Sequence, residues 1–316
     1  MGKSFTSKVL PFQLDVSAQA SLTHEQAEQL EALQRRAARI AVKAVAELSK
    51  LNEVDHMGGG LDLIPSLAMT LAVTDFKAVE FTIENAHTSV GYYGVLSALG
   101  FLDPDHVAQK FRQSLDIAGH VSWVPGGTQL NGGRLGVMIP VAVGQAIGKK
   151  ALYGEDAWVI CHCGDAGWIS GQALNGFNAA DIHHAPITFV MQRNGIQLSG
   201  ANKHILDKDP RKMIEAMGIT IIEIPSLHDA ASLFLAYREA RLLARSGRPS
   251  MIYPVGYHNV GAHRETLTTF AERYGVVPEM TAFAAKNKVD LTTPIWTPGA
   301  LMSFRDIECM LECLFL

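Results

Sequence analysis

The sequence predicts a three-layer α/β/α fold built on a mainly parallel sheet. Two observations carry this prediction. Beyond residue 157, short apolar runs alternate with helical stretches, the order expected when helices cover both faces of parallel strands. Hydrophobic residues make up 48% of the chain and charged residues 18%, which suits a buried core. At 316 residues there is room for one large domain, or a domain with extensions.

Residues 1–20 show no clear period and are expected to form an extended arm. Thr23 is placed to cap a helix, and Gln26 completes a capping box. Leu30, Leu33, Ala37, Ile40, Ala41, Ala44 and Leu48 carry its apolar stripe to about residue 52. Gly58-Gly59-Gly60 reads as a flexible turn, 62–73 as a second helix and 79–83 as a short strand. Residues 84–87 read as a loop, and helical spacing resumes over 92–99. A Gly-rich stretch, Pro125-Gly126-Gly127 and Asn131-Gly132-Gly133, leads into a helix over 135–151 whose small residues permit close packing. Pro140 lies inside that pattern, so a kink is expected there. The alternation then runs through strand 157–163, helix 170–182, strand 187–192, helix 209–217, strand 219–224, helix 227–246 and strand 250–255. Residues 277–300, rich in Pro and Thr, read as a linker, and a fresh helix starts near Met302. The expected organisation is therefore an arm (1–20), a main domain (21–276), and a linker with the start of a following segment (277–316).

A net charge of −4 provides no basic footprint for nucleic acid. No apolar run reaches the roughly 18 residues that a membrane helix needs, and the first residues lack the apolar stretch of a secretory signal. Met1 to Thr6 fits the loose myristoylation pattern, with nothing else to support it. The four cysteines are Cys161, Cys163, Cys309 and Cys313. Neither pair has the spacing of a structural zinc site, and a strand would turn His162 away from the sulfurs of Cys161 and Cys163. Reduced, buried cysteines in a cytoplasmic protein are expected.

The chemistry gathers where apolar runs end. Asp165 stands in Cys163-Gly164-Asp165-Ala166-Gly167, directly after one run. Asn194 closes a second and opens Asn194-Gly195-Ile196. A carboxylate and an amide oxygen then stand at the C-terminal ends of two parallel strands, where open α/β sheets bind ligands. Hard oxygen donors suit Mg²⁺ or Ca²⁺, so the pattern reads as a metal-bridged diphosphate site. The run Gly144 to Lys150 contains Gly-Lys-Lys but lacks phosphate-loop spacing, and no dinucleotide fingerprint follows a strand.

Three stretches point the same way: Gly164-Asp165-Ala166 with Asn194 farther on; Gly132-Gly133-Arg134-Leu135-Gly136 before a small-residue helix; and Glu84-Asn85-Ala86-His87 before Tyr93, Leu96 and Gly100-Phe101-Leu102. Together, over roughly residues 22–265, they resemble the diphosphate-binding half of the transketolase family. The resemblance implies thiamine diphosphate and Mg²⁺ as cofactors. It implies that Asp165, the Asn194 side chain and the Ile196 carbonyl hold the metal. Gly133, Leu135, Gly164, Ala166 and His87 would line the cofactor. His87, His120, His258 and His263 would lie near the diphosphate or the reacting centre. His56, in Asp55-His56-Met57-Gly58-Gly59, resembles a family turn but lacks its first Gly and its Pro.

The sequence also departs from that family. Ala166 replaces the third residue of Gly-Asp-Gly, Arg193 stands where relatives have Asn or Asp, and Ser170 and Asn175 stand near positions where relatives carry glutamates. The family's activating glutamate comes from a pyrimidine-binding domain, and too few residues follow 265 to build one. The resemblance therefore implies a partner domain or subunit, an oligomer such as a dimer, and ketol transfer between sugar phosphates. Two other readings stay open: a thiamine enzyme component that decarboxylates a 2-oxo acid, as in 2-oxoacid dehydrogenases or deoxyxylulose-phosphate synthase, and a noncatalytic cofactor-binding protein.

Overall fold

A computed structural model of the chain describes residues 13–51, 53, 57–130, 132–164, 166–197, 200–255, 266–293 and 304–315. Leu14 and Val16 are buried, and the Leu14 N–H donates to the Ala72 carbonyl at 2.8 Å. Helix α1 (His24–Ser49) starts at the expected capping box: Thr23 Oγ1 accepts from Gln26 N at 3.2 Å, and Gln26 Oε1 accepts from Thr23 N at 3.0 Å. Its apolar stripe is buried, apart from the half-buried Ile40.

Helix α2 (Met57–Val73) is buried almost throughout. It includes Gly58-Gly59-Gly60, which therefore form a helical turn, not the flexible one expected. Strand β1 (Val79–Ile83) follows, then α3 (Ser89–Ala98). The glycines serve the crossing of α2 and α3, since a Cβ built on Gly91 would lie 1.9 Å from the Gly60 carbonyl oxygen. Only two glycines allow backbones to pass that closely. Helix α4 (Pro104–Lys110), capped by Asp103, has too short an apolar pattern to be read from sequence.

Helix α5 spans Met138–Tyr153. Starting three residues later than expected, it places Pro140 in the first turn. The N–H that proline lacks would have no intrahelical acceptor in that first turn, so the cause expected for a kink is removed. Strand β2 (Trp158–Gly164), helix α6 (Gly171–Ile182) and strand β3 (Ile187–Gln192) fall close to their expected positions. A small antiparallel pair follows, β4 (Ile196–Gln197) and β5 (Gly200–Ala201). Next come α7 (Arg211–Glu215), β6 (Thr220–Ile224), α8 (Ala230–Arg245) and β7 (Ser250–Pro254). The stretch expected as a linker is occupied by α10 (Val277–Asn287), preceded by α9 (Leu267–Tyr274) and followed by α11 (Phe304–Phe315). Met280, Ile307, Met310 and Cys313 join the core that buries α1.

The main sheet has the order β1-β2-β3-β7-β6 with every pairing parallel. Alternate residues face alternate layers. Trp158, Ile160 and Val190 pack with α1, α2, α3 and α8. Val159, Cys161, Cys163 and Phe189 pack with α5 and α6. The three-layer fold is thus the observed one. His162 points away from the two sulfurs, as expected: its ring meets Thr70 Oγ1 at 2.9 Å and Ser66 Oγ at 3.3 Å. Burial holds that imidazole down to about 3. None of the four cysteines forms a disulfide, and all four are buried. No described helix is long and apolar enough to cross a membrane.

Candidate active site

Parallel strands place all their C-terminal ends at one edge of the sheet. Glu84 and Asn85 follow β1 there. Gly164 ends β2, Gln192 ends β3, and Pro254 ends β7. Gly164 is the register partner of Gln192, and the Glu84 N–H donates to the His162 carbonyl at 2.7 Å. The ends of β1, β2 and β3 are therefore immediate neighbours.

Glu84 lies at the centre of this edge and is fully buried. Its Oε1 accepts from the Gly136 N–H, and its Oε2 accepts from the Gly164 N–H at 3.1 Å. A Cβ on Gly167 would sit 2.2 Å from Oε1. Gly136 has φ +85, and a Cβ there would lie 1.8 Å from Ser170 Oγ. Burial pushes the Glu84 carboxyl up from its ordinary 4.5 to about 7, against the two N–H donors that favour its charged form. Sequence reasoning passed over Glu84 as a loop residue. The available signal was an acid placed directly after an apolar strand.

Asn85 Nδ2 donates to Gln192 Oε1, joining the ends of β1 and β3. Asn85 Oδ1 and Gln192 Nε2 are left buried without hydrogen-bond partners among the described residues. Arg193 is 7% exposed and donates through Nη1 to the carbonyls of Pro254, at 3.3 Å, and Val255, at 2.8 Å. Its guanidinium lies 4.8 Å from the Tyr253 ring centre, and that of Arg211 lies 4.9 Å from the same ring. The departure noted at Arg193 thus fastens the end of β3 to the end of β7.

The residues singled out from sequence distribute as follows. His87, Gly164, Ala166 and Asn194 are half-buried at or beside the strand ends. Gly133 and Leu135 are exposed in the loop before α5. That loop leans on β1, because a Cβ on Gly132 would lie 2.8 Å from the carbonyl oxygens of Ile83 and Glu84. His120 is exposed, and its carbonyl accepts from the Tyr93 hydroxyl at 3.2 Å. Its neighbour Val121 donates to the Ala86 carbonyl at 2.9 Å, which brings the His120 loop beside the turn carrying His87. The Ile196 backbone belongs to β4. Asp165, His258, His263 and His56 lie outside the described residues.

Among the described residues no three His, Cys, Asp or Glu side chains converge as a metal site. The expected donors are of another kind: one carboxylate, one amide oxygen and one backbone carbonyl, all hard oxygens suited to Mg²⁺. Around them the edge offers glycine turns and two unsatisfied amide atoms. A Cβ on Gly133 or Gly171 would meet nothing within 4 Å, so open space lies beside both. The residues present are chemically compatible with a metal-bound diphosphate. Two of the N–H groups, those of Gly136 and Gly164, are already taken by Glu84.

Comparisons with known proteins agree with this architecture. A family model described as "Dehydrogenase E1 component" matches residues 128–266. The chain is similar to one subunit of the apulose-4-phosphate transketolase of Actinobacillus succinogenes, with 32% identity over 43% of this chain and 50% of that one. It is also similar to an alpha chain of the mitochondrial 2-oxoisovalerate dehydrogenase of Arabidopsis thaliana, with 29% identity over 52% and 37%. In three dimensions it resembles a transketolase variant from Pichia stipitis, with TM-score 0.62, 19% identity, and coverage of 90% of this chain and 44% of that one. The chain spans half or less of the length of each of these proteins. The family-model match over residues 128–266, the transketolase-type relatives and the shared fold support a likeness to the N-terminal part of transketolase-type enzymes.

Proposed function

We propose that this chain supplies the Mg²⁺- and diphosphate-holding part of a thiamine-diphosphate enzyme that transfers a two-carbon ketol unit between sugar phosphates. The register of Gly164 with Gln192 carries this reading. It sets the end of β2, at Gly164, beside the end of β3, two residues before Asn194. In this assignment Asp165, the Asn194 side-chain oxygen and the Ile196 carbonyl hold the metal. Gly133, Leu135, Gly164, Ala166 and His87 line the cofactor, while His87, His120, His258 and His263 face the diphosphate or the reacting centre. The bound cofactor supplies a C2 carbanion and an electron sink. This chain's residues fix and orient it, and a pyrimidine-binding partner domain or subunit supplies the activating glutamate in a cytoplasmic oligomer.

A second reading is decarboxylation of a 2-oxo acid, favoured by the dehydrogenase family match and the 2-oxoisovalerate dehydrogenase relative. Ketol-transfer and 2-oxo acid decarboxylation assays, each run with a competent partner, separate the two. A chain that takes up cofactor yet stays inert in both would be a noncatalytic binder. The assignment itself is tested by calorimetry with thiamine diphosphate and Mg²⁺. Asp165→Ala is expected to abolish metal-dependent uptake while circular dichroism stays unchanged. Undiminished affinity in that variant would refute the metal assignment.

A further inference from the structure

Nothing in the cofactor reading requires an acid at residue 84, yet the structure builds one into the middle of the strand edge. Burying a carboxylate there without strong partners would be costly. Glu84 spends both its oxygens on backbone N–H groups from two different segments, Gly136 before α5 and Gly164 at the end of β2. Gly167 closes over the same carboxylate, leaving no room for a side chain. The adjacent Asn85 reaches in a different direction, to Gln192 at the end of β3. Two consecutive residues of one chain segment thus hold three others.

We propose that Glu84 is a positioning residue: its carboxylate clamps the Gly-rich loop, through Gly136, and the end of β2, through Gly164, to the end of β1 and so sets the frame of the cofactor site. The proposal rests on the cofactor reading for what that frame serves, but the clamp itself is independent of it. An amide side chain is the informative replacement. Glutamine keeps the size and reach of Glu84 but presents one acceptor oxygen, and its NH₂ group faces the second N–H as donor to donor. Glu84→Gln should therefore release one turn and keep the other.

The experiment is amide hydrogen exchange of the free full-length chain at pH 8, with global stability measured in parallel by urea unfolding. In the parent chain both the Gly136 and Gly164 amides are expected to be protected. In Glu84→Gln one of them should exchange roughly tenfold to a hundredfold faster, the range for losing a bond to a charged acceptor, without a matching fall in global stability. A merely structural role would lower both together. Glu84→Asp keeps the charge but is one methylene short of spanning both turns. It should show the same selective loss, and it serves if the Gln variant fails to fold. Unchanged protection at both amides, or loss only in step with global stability, overturns the clamp.

Calorimetry with thiamine diphosphate and Mg²⁺ forms the second arm. Weaker uptake by Glu84→Gln than by the parent chain supports the framing role, and equal uptake with a loosened turn overturns it. If the parent chain takes up no cofactor, the functional reading falls, while the exchange data still decide the clamp.

Discussion

Titrating Glu84 should cost the folded chain stability as pH rises, which is unusual for a carboxylate. The folded value is about 7 and the ordinary value is 4.5. Between them the folded chain holds a proton that the unfolded chain has released, so stability falls with rising pH across this window. At about 1.36 kcal/mol per pH unit the gap is worth about 3 kcal/mol in full. Roughly 2.5 kcal/mol of that falls between pH 5 and pH 8. The sign is set by burial, which outweighs the two backbone donors. Other titrating groups contribute equally to the parent chain and to Glu84→Gln, so they cancel in the difference. Urea unfolding of both proteins at pH 5 and pH 8 is the assay. Glu84→Gln should gain roughly 2–3 kcal/mol relative to the parent chain on going from pH 5 to pH 8. Parallel pH profiles would show that Glu84 is not held in its proton-binding state by burial, and the reasoning would fail.

Two further outcomes are expected. Gly91→Ala pushes a methyl group into the Gly60 carbonyl and should cost roughly 3 kcal/mol or more, at the upper end of overpacking effects. A thermal melt should fall by several degrees, whereas Gly133→Ala, which meets nothing, should melt like the parent chain. The isolated chain should also show negligible turnover in both ketol-transfer and 2-oxo acid assays, because the activating glutamate is assigned to a partner. Substantial activity from this chain alone would overturn the division of labour proposed above.

Much of the fold was legible because long periodic segments and β-branched runs report their own geometry. The strands at 158–164 and 187–192 and the capped start of α1 are local properties of the sequence. The errors came from tertiary demands. Gly58-Gly59-Gly60 looks like a turn by itself, but the crossing with α3 requires glycine inside a helix. Residues 277–287 look like a linker, yet burying Met280 and Ala284 makes them a helix. At the site, sequence motifs identified loops rather than partners. They pointed to the turns carrying Gly164 and Asn194 and to the stretch Glu84-Asn85-Ala86-His87, but gave no role to the side chains that join those turns, Glu84, Asn85 and Gln192. Arg193 appeared only as a departure, because its carbonyl partners at Pro254 and Val255 are far away along the chain.

The contact of the Tyr253 ring with the Arg193 guanidinium, 4.8 Å from its centre, has a mechanical consequence. Val255 is anchored through Arg193, the residue next to Asn194. The polypeptide that continues toward His258 and His263 therefore departs from a post bolted to the neighbouring strand. Weakening that post, for example with Tyr253→Ala, should disturb two ends of the sheet at once and leave the edge at Glu84 undisturbed.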